Sequence, residues 1–152
     1  MIRFSAEFCH IDYDGYAQYS IEENSFYYEP WNDVDFSIII GKEYSSLDLN
    51  LDTFNVLQLT GFNPRKNWVS QALAVPKSKT GILKAHISEN QQKGSGLQYV
   101  DDWETYYDEK SGWICIGNPQ CKNGLTVEFA ENTLAVIVDG ELKAVWIRPK
   151  FI

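Results

Sequence analysis

The residues of this sequence best able to act as nucleophiles, bases or metal ligands are three cysteines and two histidines. Their spacing assigns them none of these roles. Cys9 and His10 are adjacent, and five residues separate Cys115 from Cys121. A structural zinc site takes about four ligands, with short Cys-to-Cys or His-to-His spacings that are absent here. A Cys–His pair is formally available, but any chain with a few of each offers one, and no local signature surrounds these. Asp12-Tyr13-Asp14-Gly15 resembles the start of a calcium loop, yet its glycine comes too early and Tyr16 occupies a ligand position. It reads as a turn. The 21 acids contain many carboxylate pairs, and nothing singles out one suited to glycoside hydrolysis. The glycines are scattered, so no phosphate-cradling loop is expected. The chain therefore reads as a non-enzymatic protein with no cofactor and no metal.

Two segments interleave aromatic rings with carboxylates. In the first, Asp101, Asp102, Glu104, Asp108 and Glu109 surround Trp103, Tyr106 and Tyr107. In the second, running from Glu22 to Asp35, Phe26, Tyr27, Tyr28 and Trp31 stand among Glu22, Glu23, Glu29, Asp33 and Asp35. Rings supply the anchors of binding hot spots and carboxylates steer cations. The alternative for such rings is the core, with the acids solvating loop edges. Asp101, Asp102, Trp103, Glu104, Tyr106, Tyr107, Asp108 and Glu109 are the candidate partner-binding residues.

The formal net charge is −8. It opposes binding to a phosphate backbone or to an anionic membrane surface, since both need clustered Lys and Arg. It suits a cationic protein partner. Residues 1–62 hold 11 acids against 2 bases, and residues 101–152 hold 9 against 5. Residues 63–100 hold 1 acid against 6 bases, namely Arg65, Lys66, Lys77, Lys79, Lys84 and Lys93. Packing of acidic against basic segments across the fold is one account of this basic island, and strand order decides it. The odd cysteine count does not read as a disulfide framework. The first eight residues carry no apolar signal stretch, and no apolar run reaches membrane-spanning length. A reducing cytoplasm is the expected location.

The elements positioning these residues read as strands. The 152 residues fit one domain, 1–152, able to bury roughly 68–70% of its unfolded surface. Ile2, Phe4, Ala6 and Phe8 alternate with polar residues, as do Ala17, Tyr19 and Ile21, which predicts a first hairpin through Asp12–Gly15. Phe26–Tyr28 is a short extended piece before Pro30. Phe36–Ile40 reads as a strand covered on both faces. Leu47, Leu49 and Leu51 alternate with Asp48, Asn50 and Asp52, and Phe54–Leu59 continues as an apolar stretch. Trp68–Val75 is expected to form two helical turns ended by Pro76. Gly81–Ser88 follows as a strand and Glu89–Gly96 as a surface loop. The last third predicts a hairpin joining Tyr106-Tyr107 to Trp113–Ile116, and then a meander of Leu125–Phe129, Leu134–Val138 and Leu142–Ile147, with Asp139-Gly140 as a tight turn. The fold class expected is mainly β, an antiparallel sandwich or barrel-like meander with at most one or two short helices.

Three stretches give the chain a family resemblance. They are Leu59–Pro64 with Trp68, Pro76 and Gly81–Leu83; Asp102–Tyr107 leading into Gly112–Gly117; and Asp139–Leu142 closing on Trp146. Together they resemble the small acidic immunity proteins of bacterial polymorphic toxin systems. The resemblance implies a cytoplasmic protein that binds and neutralises a cognate toxin. A carbohydrate-binding β-sandwich module, using exposed Trp and Tyr as sugar platforms, is the alternative.

Overall fold

The computed structural model describes residues 2–88 and 90–152. It is built from strands, and its helical content among these residues is a single 3-10 turn at Arg65–Asn67. The strands are β1 (Ile2–Phe8), β2 (Tyr16–Ser20), β3 (Ser25–Glu29), β4 (Phe36–Ile40), β5 (Tyr44–Asn50), β6 (Asn55–Phe62), β7 (Val69–Ser70), β8 (Lys79–Ile87), β9 (Ser95–Val100), β10 (Thr105–Tyr107), β11 (Ile114–Gly117), β12 (Leu125–Ala130), β13 (Thr133–Val138), β14 (Glu141–Ile147) and β15 (Lys150–Phe151). They belong to one mixed, unclosed sheet, as expected for a mainly β fold.

Most neighbours are antiparallel, but β4–β9, β7–β10, β8–β12 and β2–β15 run parallel. One half contains β1 to β6 with β8, β9 and β15, and the other contains β7 and β10 to β14. They join where Lys79 and Thr80 of β8 face Val127 and Glu128 of β12. Apolar residues of both halves enter one core. Phe4, Phe26, Leu47, Leu59 and Leu83 of the first half share it with Ile114, Ile116, Val127 and Val145 of the second. A smaller cluster of Cys115, Leu134, Val136, Ala144 and Trp146 lies apart from it, packed against by Leu73, Val75 and Trp113. Each fully buried large side chain contributes about 1.5–3 kcal/mol. Two such clusters hold the fold without cross-links, and the three cysteines are free thiols.

Three sequence expectations are corrected. First, β1 does not form a hairpin with β2. It pairs along its whole length with β8, from Ile2 opposite Ile87 to Phe8 opposite Gly81, while β2 turns directly into β3. Local alternation identifies a strand but not its partner. Second, Trp68–Val75 is not helical. The Trp68 indole donates to Asn63 Oδ1 at 2.9 Å and its ring packs on Tyr19 and Tyr107. Val69 and Ser70 then pair with Tyr106 and Tyr107, so these tertiary partners override a weak helical pattern. Third, the loop expected from Glu89 to Gly96 begins at a residue outside the described set and ends inside β9, where Ser95 and Gly96 face Phe36 and Ser37. The hairpin of β10 with β11 and the meander β12–β13–β14 match expectation. The Asp139-Gly140 turn has both residues at positive φ (52° and 80°), the geometry of a two-residue hairpin loop.

That turn and the residues after it bond to two strands of the first half. Gly140 O accepts from Phe4 N at 2.8 Å, Arg3 Nη2 donates to Asp139 O at 2.8 Å, and the next residues meet β9 through Leu142 N and the Tyr99 hydroxyl at 3.1 Å.

Candidate functional site

The segment Asp101–Glu109 is largely consumed by the fold. Asp101 and Asp102 are exposed, whereas Glu104 forms an ion pair with Lys42. The Trp103 ring packs against the main core and meets Tyr99 edge-on at 6.2 Å. Strand alternation sends Tyr106 and Tyr107 to opposite faces. Tyr106 packs on the smaller cluster, while Tyr107 is 9% exposed within the rings of Trp68 and Phe151, under the Arg65 guanidinium at 5.3 Å. Glu109 lines a cleft of about 500 Å³ with Tyr16, Glu131, Arg148 and Lys150. That cleft mixes both charges, so the eight residues do not share one acidic surface.

Asp108 is a structural carboxylate. It accepts from the backbone N–H groups of Leu73 at 3.0 Å, Lys110 at 3.0 Å and Ser111 at 3.4 Å, tying residues 71–75 over the smaller cluster. These bonds, that from Leu73 first, hold its carboxyl below the usual carboxylate range. A depressed folded pKa contributes stability that is present above the unfolded value of about 3.9 and lost as pH falls through the folded value. The melting-temperature gap between wild type and Asp108→Ala should therefore be full at neutral pH and narrow in acid below about pH 4. Thermal scans from neutral pH into strong acid check this, and a gap constant with pH would refute the role.

The Glu22–Asp35 segment is arranged differently. Phe26 and Tyr28 point into the core, while Tyr27 and Trp31 are 37% and 58% exposed. Glu22, Glu23, Glu29 and Asp33 are exposed beside them. Asp35 is committed internally, accepting from Leu51 N at 2.8 Å. The Tyr27 hydroxyl donates to Glu23 Oε2 at 2.6 Å, which raises the pKa of the phenol.

The register of β3, β6 and β5 extends this surface. Phe62 stands opposite Ser25 on one side and opposite Tyr44 on the other. Cross-strand neighbours share a face, as do residues two apart on one strand. Tyr27, Phe62 and Tyr44 therefore lie on the same side, and Phe62 and Tyr44 are 44% and 68% exposed. Lys42 N bonds to Trp103 O, which brings Asp101 and Asp102 to the Tyr44 end. One face thus gathers Tyr27 of the Glu22–Asp35 segment with two rings that neither segment contains, and the backbone at Trp103 runs past the turn leading into Tyr44.

The floor of this face is polar and buried. Asp48, 2% exposed, accepts four hydrogen bonds. Ser37 Oγ and Ser46 Oγ donate to Oδ1 at 2.9 and 2.8 Å, and Gln58 Nε2 and Thr60 Oγ1 donate to Oδ2 at 3.0 and 2.6 Å. Four donors match the acceptor-only capacity of an ionised carboxylate. Gln58 Oε1 in turn accepts from the Asn32 backbone and side chain, both at 3.1 Å. The loop carrying Trp31 is thereby clamped to the floor. At Gly61, φ is +109° and a Cβ would lie 2.2 Å from Tyr44 O, so only glycine lets β5 approach β6 this closely beside Phe62.

Sequence reasoning missed Tyr44 and Phe62. For Tyr44 a signal existed: counting by twos from Asp48 places Ser46 and Tyr44 on the face opposite Leu47 and Leu49. For Phe62 a signal existed too: counting from buried Leu59 places Thr60 and Phe62 on the opposite face, and only a count started at Val56 is upset by the register shift at Asp48/Leu49.

Neither histidine hydrogen-bonds to a residue of this face: His10 bonds Asp12 and His86 bonds Ser5. Cys115 is buried, which pushes its thiol pKa far up. Of the basic island, Lys93 pairs with Asp35 and Asp52. Among the described residues no helix is long and apolar enough to cross a membrane. No known protein family matches this chain, and no curated protein matches it in sequence.

Proposed function

We propose that the protein is a non-enzymatic, cytoplasmic binding protein that holds a cationic protein partner on the outer face of β3, β6 and β5, in the manner of an immunity protein neutralising a toxin. The observation carrying this reading is the set of exposed rings Tyr27, Tyr44 and Phe62 on one face, with exposed Trp31 on the adjoining loop that Asn32 clamps to the hydrogen-bonded floor. Rigidly held rings supply contact area at low entropic cost. The surrounding acids supply attraction to a basic surface.

The test is to isolate the partner by co-purification with the chain, then co-express the two and measure complex formation and kinetics. A one-to-one complex with a basic protein whose toxicity it abolishes is the expected result. Exposed charges more than about 8–10 Å apart are screened at physiological salt. Raising salt should therefore slow association by about tenfold or more while changing dissociation much less. Association indifferent to salt would sink the electrostatic half of the proposal.

The same four rings favour one second reading, a carbohydrate platform. Against it, the floor groups Asp48, Gln58 and Thr60 are already bonded to one another, leaving few partners for sugar hydroxyls. Glycan-dependent quenching of Trp fluorescence, lost in Trp31→Ala, would establish this second reading in place of the first.

A further inference from the structure

We propose that the open edge of β1 at Ala6–Phe8 is a second docking surface, one that takes up a basic, extended peptide segment as an added strand. The inference does not depend on the outer-face reading above.

The edge is defined by hydrogen-bond parity. In an antiparallel pair, alternate residues turn both N–H and C=O toward the partner strand. Ala85, opposite Phe4, gives its N–H to Phe54 O, away from β1. Phe4 gives its own N–H to Gly140 O, away from β8. Cys9 N–H goes to Thr80 O, so the odd positions of β1 face β8. Ala6 and Phe8 must then turn N–H and C=O outward. Among the described residues no strand other than β8 pairs with β1, and the Asp139-Gly140 turn covers the edge only as far as Phe4.

A groove of about 500 Å³ runs beside this edge, with Phe4, Ser5 and Ala6 on one wall and Leu125, Val138 and Asp139 on the other. Exposed Phe8 and Leu125 offer apolar contacts to alternate side chains of an added strand. The backbone requires a polypeptide in extended form, and the charges select its sign. Glu7 and Asp139 are exposed here, two acids against the one exposed base Arg3, whose guanidinium is turned to Asp139 O. A second copy is a poor occupant. Antiparallel pairing of two β1 strands through Ala6–Phe8 would set the two Glu7 carboxylates directly opposite each other, which is destabilising.

The probe is a synthetic eight-residue peptide alternating lysine and valine, with a counterpart N-methylated at every residue so that neither of its edges can donate. Amide hydrogen exchange is followed residue by residue on the intact protein. The unmodified peptide should slow exchange at Ala6 and Phe8 by about tenfold or more and leave Glu7 unchanged, because the Glu7 N–H already faces β8. The methylated peptide should not bind. Ala6→Pro should weaken binding by about tenfold or more at an unaltered melting temperature, since the lost N–H makes no bond to β8 and edge positions tolerate proline. If that variant fails to fold, the methylated peptide decides the matter on the unaltered protein. No binding by the unmodified peptide, binding without slowed exchange at Ala6 and Phe8, or equal binding of the methylated peptide would each overturn the proposal. Slowed exchange of these amides on dimerisation without peptide would give the edge to a second copy and overturn it too.

Discussion

Asp48→Ala should lower the melting temperature by roughly 8–16 °C, taking about 4 kcal/mol at 2–4 °C per kcal/mol for a domain of this size. The carboxylate is the single acceptor shared by Ser37, Ser46, Gln58 and Thr60. Its removal strands four donors, and each buried donor left unpaired costs about 1–3 kcal/mol. Part of that is recovered, because the Ser46 and Thr60 hydroxyls already lie 3.4 Å apart and can bond each other. The Gln58 amide has no such substitute. Asp48→Asn keeps the volume and one oxygen but turns a donor toward donors, so a fall of about half that size is expected. Differential scanning calorimetry of the three proteins checks both values. A change below roughly 2 °C for Asp48→Ala would show that the network is dispensable. The same variant carries a functional consequence. Gln58 loses the bond that orients it, Asn32 loses its anchor, and the Trp31 loop loosens. Partner affinity should then fall even at temperatures where the domain remains folded.

How much of the fold is legible in the sequence depends on whether the signal is local. The meander from Leu125 to Ile147 is readable because each strand pairs with its neighbour and the Asp139-Gly140 dipeptide suits positive φ at both positions. The strand nature of β1 is equally readable from its alternation. Its partner is not, since β8 lies some eighty positions away and nothing within Ile2–Phe8 encodes that distance. The helix expected over Trp68–Val75 fails for a related reason. Its residues are fixed by Asn63, Asp108 and Tyr107, contacts set by the completed fold.

The surface shows the same division. Composition marks the rings of both segments, but only burial separates Tyr27 and Trp31, which face out, from Trp103, Tyr106 and Tyr107, which pack inward. Asp48 inverts the expected pattern. Alternation with Leu47 and Leu49 correctly places it on the polar face, and such faces are commonly solvated. Here the face is sealed by Asn32 and by neighbouring strands, so the polar residues satisfy one another instead of water. A buried polar row under exposed rings makes a rigid platform, and on the proposed reading that rigidity fits those rings to anchor a partner.

Trp31→Ala and Tyr44→Ala should each leave stability within about 0.5 kcal/mol of wild type, because both rings are mostly in solvent. If they anchor a partner, each truncation should cost on the order of 2 kcal/mol of binding, or roughly a thirtyfold faster dissociation. The contrast lies with Trp103→Ala and Tyr107→Ala. Those rings pack against the main core, so their loss opens cavities and should cost about 3–5 kcal/mol of stability. The folded remainder of either variant should bind normally. Melting temperature and dissociation rate are to be measured on all four proteins with the same partner. Two opposite patterns are expected: binding lost without stability for the outer pair, and stability lost without binding for the inner pair. If Trp103→Ala instead releases the partner at unchanged melting temperature, the contact surface lies at Asp101–Glu109 and the outer face of β3, β6 and β5 is not the site. Charge reversal of Asp101 and Asp102 then separates the remaining cases. It should slow association modestly if these acids edge the outer face, because they steer without being buried. It should also speed dissociation if they sit at the centre of the interface, where leaving their partner charges unpaired costs about 2–5 kcal/mol.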